Sequence, residues 1–366
     1  MQTTADVIVV GGGPVGAAVA RELAVSGRRV LVIQRESGTG EAWRAAAGML
    51  APQIEADPED PLFELGLAAR ERYAVLAPEL AEKTGQNIGL WLGGILHLAT
   101  VESATELRSR VALQRQHGHL ADWLSAEEVH QGWPWLGRTQ GALWAPHDGA
   151  LDPEALVAAL RKDAEGRGTT VVHDEIVALE RADGRVTGVR GAQRYSAGDV
   201  VIAAGAWSGK IEGMPRPLSI EPVRGQMGAL RWPADTPPSI VYHGDGYLLH
   251  RHGEALAGST MEFAGFNPET TEEGLAHIRA TVQAIWPALG TAPFIRTWAG
   301  LRPVSPDGLP IIGAEPRVEG LWYATGHGRN GILLAGITGV MVRELLDGDA
   351  TREELAIVRS DRFWRW

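Results

Sequence analysis

At 366 residues the chain is long enough to bury a full core and to divide into two structural domains, which excludes a small accessory module. Hydrophobic residues make up 45% and charged residues 22%, so long disordered segments are excluded; a formal net charge of -11 without a basic run argues against nucleic acid and anionic membrane as partners. Cysteine is absent, so disulfides, thiolate metal sites, cysteine nucleophiles and thioether attachment of a cofactor are excluded as well.

The first predicted element is Val7-Ile8-Val9-Val10, a short β-branched run of the kind that forms a buried parallel strand. It leads straight into Gly11-Gly12-Gly13-Pro14-Val15-Gly16. Small or apolar residues at Val15, Ala18, Val19 and Leu23 predict a helix, with Pro14 suited to its first turn and Gly27 to its exit. Val30-Leu31-Val32-Ile33 gives a second strand and completes a βαβ unit of about thirty residues. In that setting a G-x-G-x-x-G turn binds a dinucleotide. Gly11 lets the turn close, Gly13 lets backbone approach a pyrophosphate, Gly16 lets helix and strand pack, and the helix N-terminus holds the anion. The acid expected to hold a ribose is replaced by Gln34, followed by Arg35 and Glu36, and the Gln amide can still accept from a ribose hydroxyl. Arg21 and the three glycines interrupt the apolar N-terminal stretch, which also lacks a basic leader. No signal peptide or membrane span is therefore expected, and a cytoplasmic location fits.

Farther along, Arg44 to Gln53 is rich in small residues, and Gly94 to Leu98 reads as a strand. Thr170 to His173 suits a third strand of the nucleotide domain, with Ile176 just beyond it. Asp199 to Ser208 has a buried-strand pattern that ends in Ala203-Ala204-Gly205-Ala206. Tyr247-Leu248-Leu249-His250 follows the turn Gly244-Asp245-Gly246. Thr297 to Pro303 precedes Asp307 to Gly313, and in the first of these the apolar neighbours of Arg302 mark a partly buried cation in need of an anion. Gly326 to Ala335 opens the last long helix.

Four of these segments, in this order, resemble the D-amino acid oxidase family of FAD-dependent oxidoreductases and, within it, the ThiO-type glycine oxidases. Arg44 to Gln53 is similar to the family's flavin-contacting segment, and Asp199 to Ser208 to its buried flavoprotein strand. Thr297 to Gly313 resembles the W-A-G-x-R-P and D-G-x-P-x-I-G pair, and Gly326 to Ala335 resembles G-H-x-R-N-G-I-L-L-A. The resemblance implies an α/β fold with a Rossmann-like FAD-binding domain assembled from discontinuous segments, 1–85, 148–220 and 300–366. A smaller antiparallel-sheet substrate-binding domain, 86–147 and 221–299, lies between them.

It further implies noncovalent FAD. The glycine turn would supply Gly11, Gly13, Pro14, Val15 and Gly16, the second strand Gln34 and Arg35, and the adenine contact Ile176. Ala42, Trp43, Arg44, Ala47, Gly48 and Met49 would meet the cofactor from the next segment, and Gly205 from the buried strand. Ala42 and Trp43 stand where the family has Ser or Thr, and Arg44 is a candidate to compensate for the lost hydrogen bonds to the diphosphate. The last helix would bring His327, Gly328, Arg329, Asn330, Gly331, Ile332 and Leu333, its N-terminus stabilising negative charge on the reduced ring.

The implied reaction is oxidation of glycine, with sarcosine and small D-amino acids as further substrates, by hydride transfer to flavin N5. The products would be an imine, then glyoxylate and ammonia, with oxygen becoming hydrogen peroxide, in the service of thiamine thiazole synthesis. Arg302 is the expected carboxylate clamp, Tyr247 a second donor to it, Arg329 a neighbour of both flavin and substrate, and Met49 and Met261 pocket-lining residues. Asp245 replaces a histidine near the site entrance and changes how the amine is met. No His or carboxylate spacing suits a metal. Two rival readings stay open: a D-amino acid or proline-type dehydrogenase that passes electrons to a quinone, and a non-catalytic FAD module of a larger assembly. A homo-oligomer is expected, with Trp364 and Trp366 capping an apolar surface or meeting another subunit.

Overall fold

The computed structural model describes residues 4–36, 38–349 and 355–363, so Trp364 and Trp366 lie outside the described residues. β-branched residues set the centre of the first sheet. Thr4–Val10 pairs in parallel with Val30–Gln34 on one side and Arg194–Ile202 on the other. Thr170–His173 extends the sheet beyond Val30–Gln34, while Leu321–Thr325 and then Ile311–Ala314 extend it beyond Arg194–Ile202. Alternate residues serve opposite faces, as they must in a strand buried on both sides. Val7 and Val9 pack under the helices Pro14–Val25, Phe63–Thr84, Pro153–Gly166 and Gly331–Leu346. Ile8 and Val10 pack against Leu179, Val186, Val189 and Tyr195 around the hairpin formed by Ala178–Ala182 and Arg185–Arg190.

The second sheet runs in the order Arg296–Val304, Glu221–Arg231, Glu254–Gly258, Gly246–Arg251, Ile240–His243, Ile95–Leu98, Ala142–Ala145, Asp122–Leu124. It is antiparallel apart from the pairing of Ile240–His243 with Ile95–Leu98. Leu96, Val241, Leu248 and Ala257 face outward under the amphipathic helix Glu272–Ile285 and the Trp232 and Trp286 rings. Ile95, Tyr242, Tyr247 and Leu249 face inward. The expected boundary at 299 falls inside a strand, because Arg296–Val304 pairs along its whole length with Glu221–Arg231. The ladder keeps residues 300 to 304 with the second sheet. Among the described residues, no helix is long and apolar enough to cross a membrane.

Candidate active site

Where the first sheet ends, the chain must turn sharply, and the turn is built on Gly11. Its φ is +107°, and a Cβ there would come within 2.3 Å of the Ala203 carbonyl oxygen. The following helix, Pro14–Val25, has no side-chain cap and no acidic residue in its first turn, so its leading N–H groups are left for an anion. The helix Gly331–Leu346 likewise starts with neither a side-chain cap nor an acid. Both helix starts reach one cavity of about 690 Å³ that spans the end of the first sheet and the inner face of the second.

Most of the expected residues line this cavity. Gly11, Gly13, Pro14 and Val15 do so at the turn, Gln34, Arg35 and Ile176 at the far end, and Ala42, Trp43 and Arg44 between them. Ala47, Gly48 and Met49, then Gly205, His327, Gly328, Arg329, Gly331 and Ile332, continue the wall toward Tyr247, Met261 and Arg302. Gly16, Asn330 and Leu333 are not part of it. Gly16 is a packing position, since a Cβ there would lie 1.9 Å from the Gly11 carbonyl oxygen. The Asn330 amide N–H donates to the His327 carbonyl at the helix start. Leu333 is turned by the helical period into the core behind Gly66. The cavity suits an elongated dinucleotide: two uncapped helix starts give positive potential at two points along it.

At the inner end Arg302 stands opposite Val223 in the ladder, and its guanidinium lies over Gly225, where a Cβ would be 2.2 Å from Nη1. Nη1 donates to the Thr260 carbonyl at 2.9 Å and Nη2 to Ser259 Oγ at 2.7 Å. Among the described residues no carboxylate forms an ion pair with it. Burial lowers its proton affinity, with the opposing influences of Tyr247 and Glu55 set against that. Burial also pushes the Tyr247 phenol up to about 12, so it stays a donor; its hydroxyl lies 3.4 Å from Met227 Sδ and also meets the Ser259 side chain. Met49 is half-buried in the wall, whereas Met261 is 62% exposed and stands at the mouth. Asp245 is also at the mouth, 3.9 Å from His277 Nε2.

Residues that the sequence did not single out complete this end. Glu55 accepts a hydrogen bond from the Tyr242 hydroxyl at 2.6 Å and lies 3.6 Å from Arg329 Nε; Arg329 Nη2 donates to the Glu55 carbonyl at 2.9 Å. His97 and Arg110 also line the wall. His97 is pushed down to about 4 by burial, with Arg110 and His243 adding to it, and His327 is pushed down to about 3 by burial.

A pH dependence of stability follows. Unfolded imidazole titrates near 6.5, so below that pH the unfolded chain binds protons that the folded protein refuses, and stability falls as pH falls. Each of these two histidines contributes a slope of about 1.4 kcal/mol per pH unit until its folded pKa is reached. Urea midpoints at pH 7 and 5 measure this, and His97→Gln should flatten the fall. A fall as steep in the variant as in the parent would contradict neutral burial of His97.

The profile of the family described as "DAO: FAD dependent oxidoreductase" matches residues 6–345. The chain is 34% identical over 359 residues to a glycine oxidase from Geobacillus kaustophilus, covering 96% of this chain and 95% of that protein. It is 35% identical over 360 residues to a bifunctional protein ThiO/ThiG from Synechocystis, covering 94% of this chain and 52% of that one. The crystal structure of glycine oxidase from Geobacillus kaustophilus superposes with a TM-score of 0.93 at 32% identity, covering 99% of both chains.

Proposed function

The chain belongs to the DAO family of FAD-dependent oxidoreductases, and we propose that within it the protein oxidises glycine, with sarcosine and small D-amino acids as further substrates. The observation that carries this reading is the partly buried Arg302 guanidinium, which has no carboxylate partner among the described residues and lies in the same cavity as the dinucleotide turn. A partly buried cation of that kind calls for an anion, and a planar guanidinium with free N–H groups matches a carboxylate held by two bonds.

FAD, when bound, supplies the acceptor for the hydride that leaves the substrate Cα. The protein's own residues orient the substrate. Arg302 holds the carboxylate, and the Tyr247 hydroxyl, kept protonated by burial, is the donor of a second bond to it. Glu55 gives the pocket a negative wall toward Arg302, so that an amino acid is bound by charges of both signs. The amine reacts in its neutral form, and loss of its proton to water is favoured by desolvation of the ammonium in the partly apolar pocket. The start of the Gly331–Leu346 helix stabilises negative charge developing beside it. Expected products are glyoxylate and ammonia by way of the imine, with peroxide from oxygen. The similarity to the bifunctional ThiO/ThiG protein supports a place in thiamine thiazole synthesis.

Oxygen uptake and peroxide release, followed together over glycine, sarcosine, D-alanine and L-proline, test the reading. Glycine should give peroxide in step with oxygen consumed. Reduction of the flavin with no oxygen uptake, but with transfer to a quinone, would convert the assignment to a dehydrogenase. Failure of every amine to reduce bound FAD would end the catalytic reading.

A further inference from the structure

We propose that this chain holds the dinucleotide's diphosphate with a pair of guanidiniums, Arg44 and Arg161, both stacked on the Trp43 indole in place of hydroxyl donors. The inference rests on the assignment of FAD to the cavity. Arg161 comes from the helix Pro153–Gly166, 149 residues beyond the glycine turn, yet its Nε donates to the Gly12 carbonyl at 3.0 Å and Nη2 reaches the same oxygen. Its guanidinium carbon is 5.8 Å from the Trp43 ring centre, and that of Arg44 is 4.3 Å away. Trp43 in turn sits against the turn, 3.4 Å from where a Gly13 Cβ would be. Thus one indole braces two cations beside the backbone that approaches the phosphates.

The charges around this pair are unbalanced. Among the described residues no carboxylate forms an ion pair with Arg161, and the ion pair of Arg44 is a long one, 3.8 Å to Glu41 Oε2. Burial and the like charge of Arg44 both lower the proton affinity of Arg161, with Glu165 a lesser opposing influence. Two cations held within reach of each other, partly out of water and facing the start of the uncapped Pro14–Val25 helix, are costly until an anion arrives. A diphosphate fits that requirement because its several oxygens can accept from the guanidiniums and the helix N–H groups together. Ala42 and Trp43 cannot supply hydroxyl bonds, and the cations take their place.

Apoprotein made by stripping flavin from the holoenzyme, titrated with FAD and with riboflavin as a probe that lacks the diphosphate, tests the clamp. Arg161→Gln should weaken FAD binding roughly 10- to 100-fold while changing riboflavin binding by less than about twofold. Arg161→Lys should recover part of the loss, since charge returns without the planar fork. Arg44→Gln, at a half-exposed site where folding is not at stake, should act in the same direction, and either neutral variant should lessen the salt dependence of FAD affinity. Equal weakening of FAD and riboflavin would mean a general disturbance of the cavity, and FAD-selective weakening with an unchanged salt dependence would mean that Arg161 only holds up the glycine turn; either overturns the clamp. Parent-like FAD affinity in both neutral variants would likewise overturn the clamp. If the parent apoprotein failed to take up FAD at all, the cofactor assignment itself would fall, an outcome that the variants do not mimic.

Discussion

Arg302→Ala is expected to lower kcat/KM for glycine by roughly two to three orders of magnitude while leaving FAD bound and the melting temperature close to that of the parent. The reason lies in what the guanidinium touches. Its protein partners are a backbone carbonyl and one serine hydroxyl, so removing it exposes no buried carboxylate and leaves the fold little to lose. The substrate carboxylate, by contrast, loses a cation that no carboxylate among the described residues engages, whereas Arg329 is held by Glu55 and Arg110 by Asp57. Arg302→Lys should recover part of the activity, because an ammonium keeps the charge but not the two-pronged geometry. Glycolate and acetate should perturb the flavin spectrum of the parent and not of the alanine variant. Normal binding of those acids by Arg302→Ala would move the carboxylate site to Tyr247 and Arg329.

A comparably large effect, on stability, is expected from Asp148→Asn. This carboxylate is fully buried; Oδ1 accepts from Arg70 Nη1 at 2.6 Å, and Oδ2 accepts from the backbone N–H groups of Gln53 and Ile54 at 2.9 and 3.0 Å. Burial outweighs Arg70 and the two N–H groups and pushes its carboxyl up to about 7, so the charge near neutral pH depends on the network staying whole. Gln53 extends that network to Arg70, Gln114 and the Leu120 carbonyl. The asparagine removes the charge that Arg70 neutralises and turns an N–H group toward other donors, at a cost of about 3–5 kcal/mol. The same bonds fix the turn that carries Ile54 and Glu55 into the cavity, so KM for glycine should rise in whatever fraction remains folded. Urea unfolding measures the first effect and steady-state kinetics the second. A loss below about 1 kcal/mol would show that the network relaxes at little cost.

What the sequence reveals of this protein is what short stretches encode by themselves. Val7 to Ile33 specify strand, turn, helix and strand through local pattern, and the structure has all four. Arg302 was legible as a partly buried cation because its neighbours are apolar, and the structure places it on the cavity wall. Arg161, Glu55, Tyr242 and His97 gave no such signal. Arg161 sits in a helix whose sequence reads as an ordinary amphipathic one, and only the packing of Pro153–Gly166 onto the Pro14–Val25 helix brings it to Gly12. Glu55 becomes a cavity residue because Asp148, 94 residues beyond Ile54, anchors the turn before it. Asn330 and Leu333 were expected beside the cofactor and do not line the cavity: a run of residues shared with a family does not say which side of a helix turn faces the cavity, and the helical period places Leu333 in the core.

The ladder between Glu221–Arg231 and Arg296–Val304 carries a consequence for how this protein can change over evolutionary time. Arg302 reaches the cavity because it stands opposite Val223, on the face where Gly225 leaves it space. Strand side chains alternate, so one residue inserted or deleted between 296 and 301 would either turn the guanidinium to the opposite face or force a bulge beside it. Length variation is therefore confined to the connections at either end, the segment from 290 to 295 and the turn from 305 to 310. A library that varies loop length there samples new cavity mouths while Arg302 keeps its address.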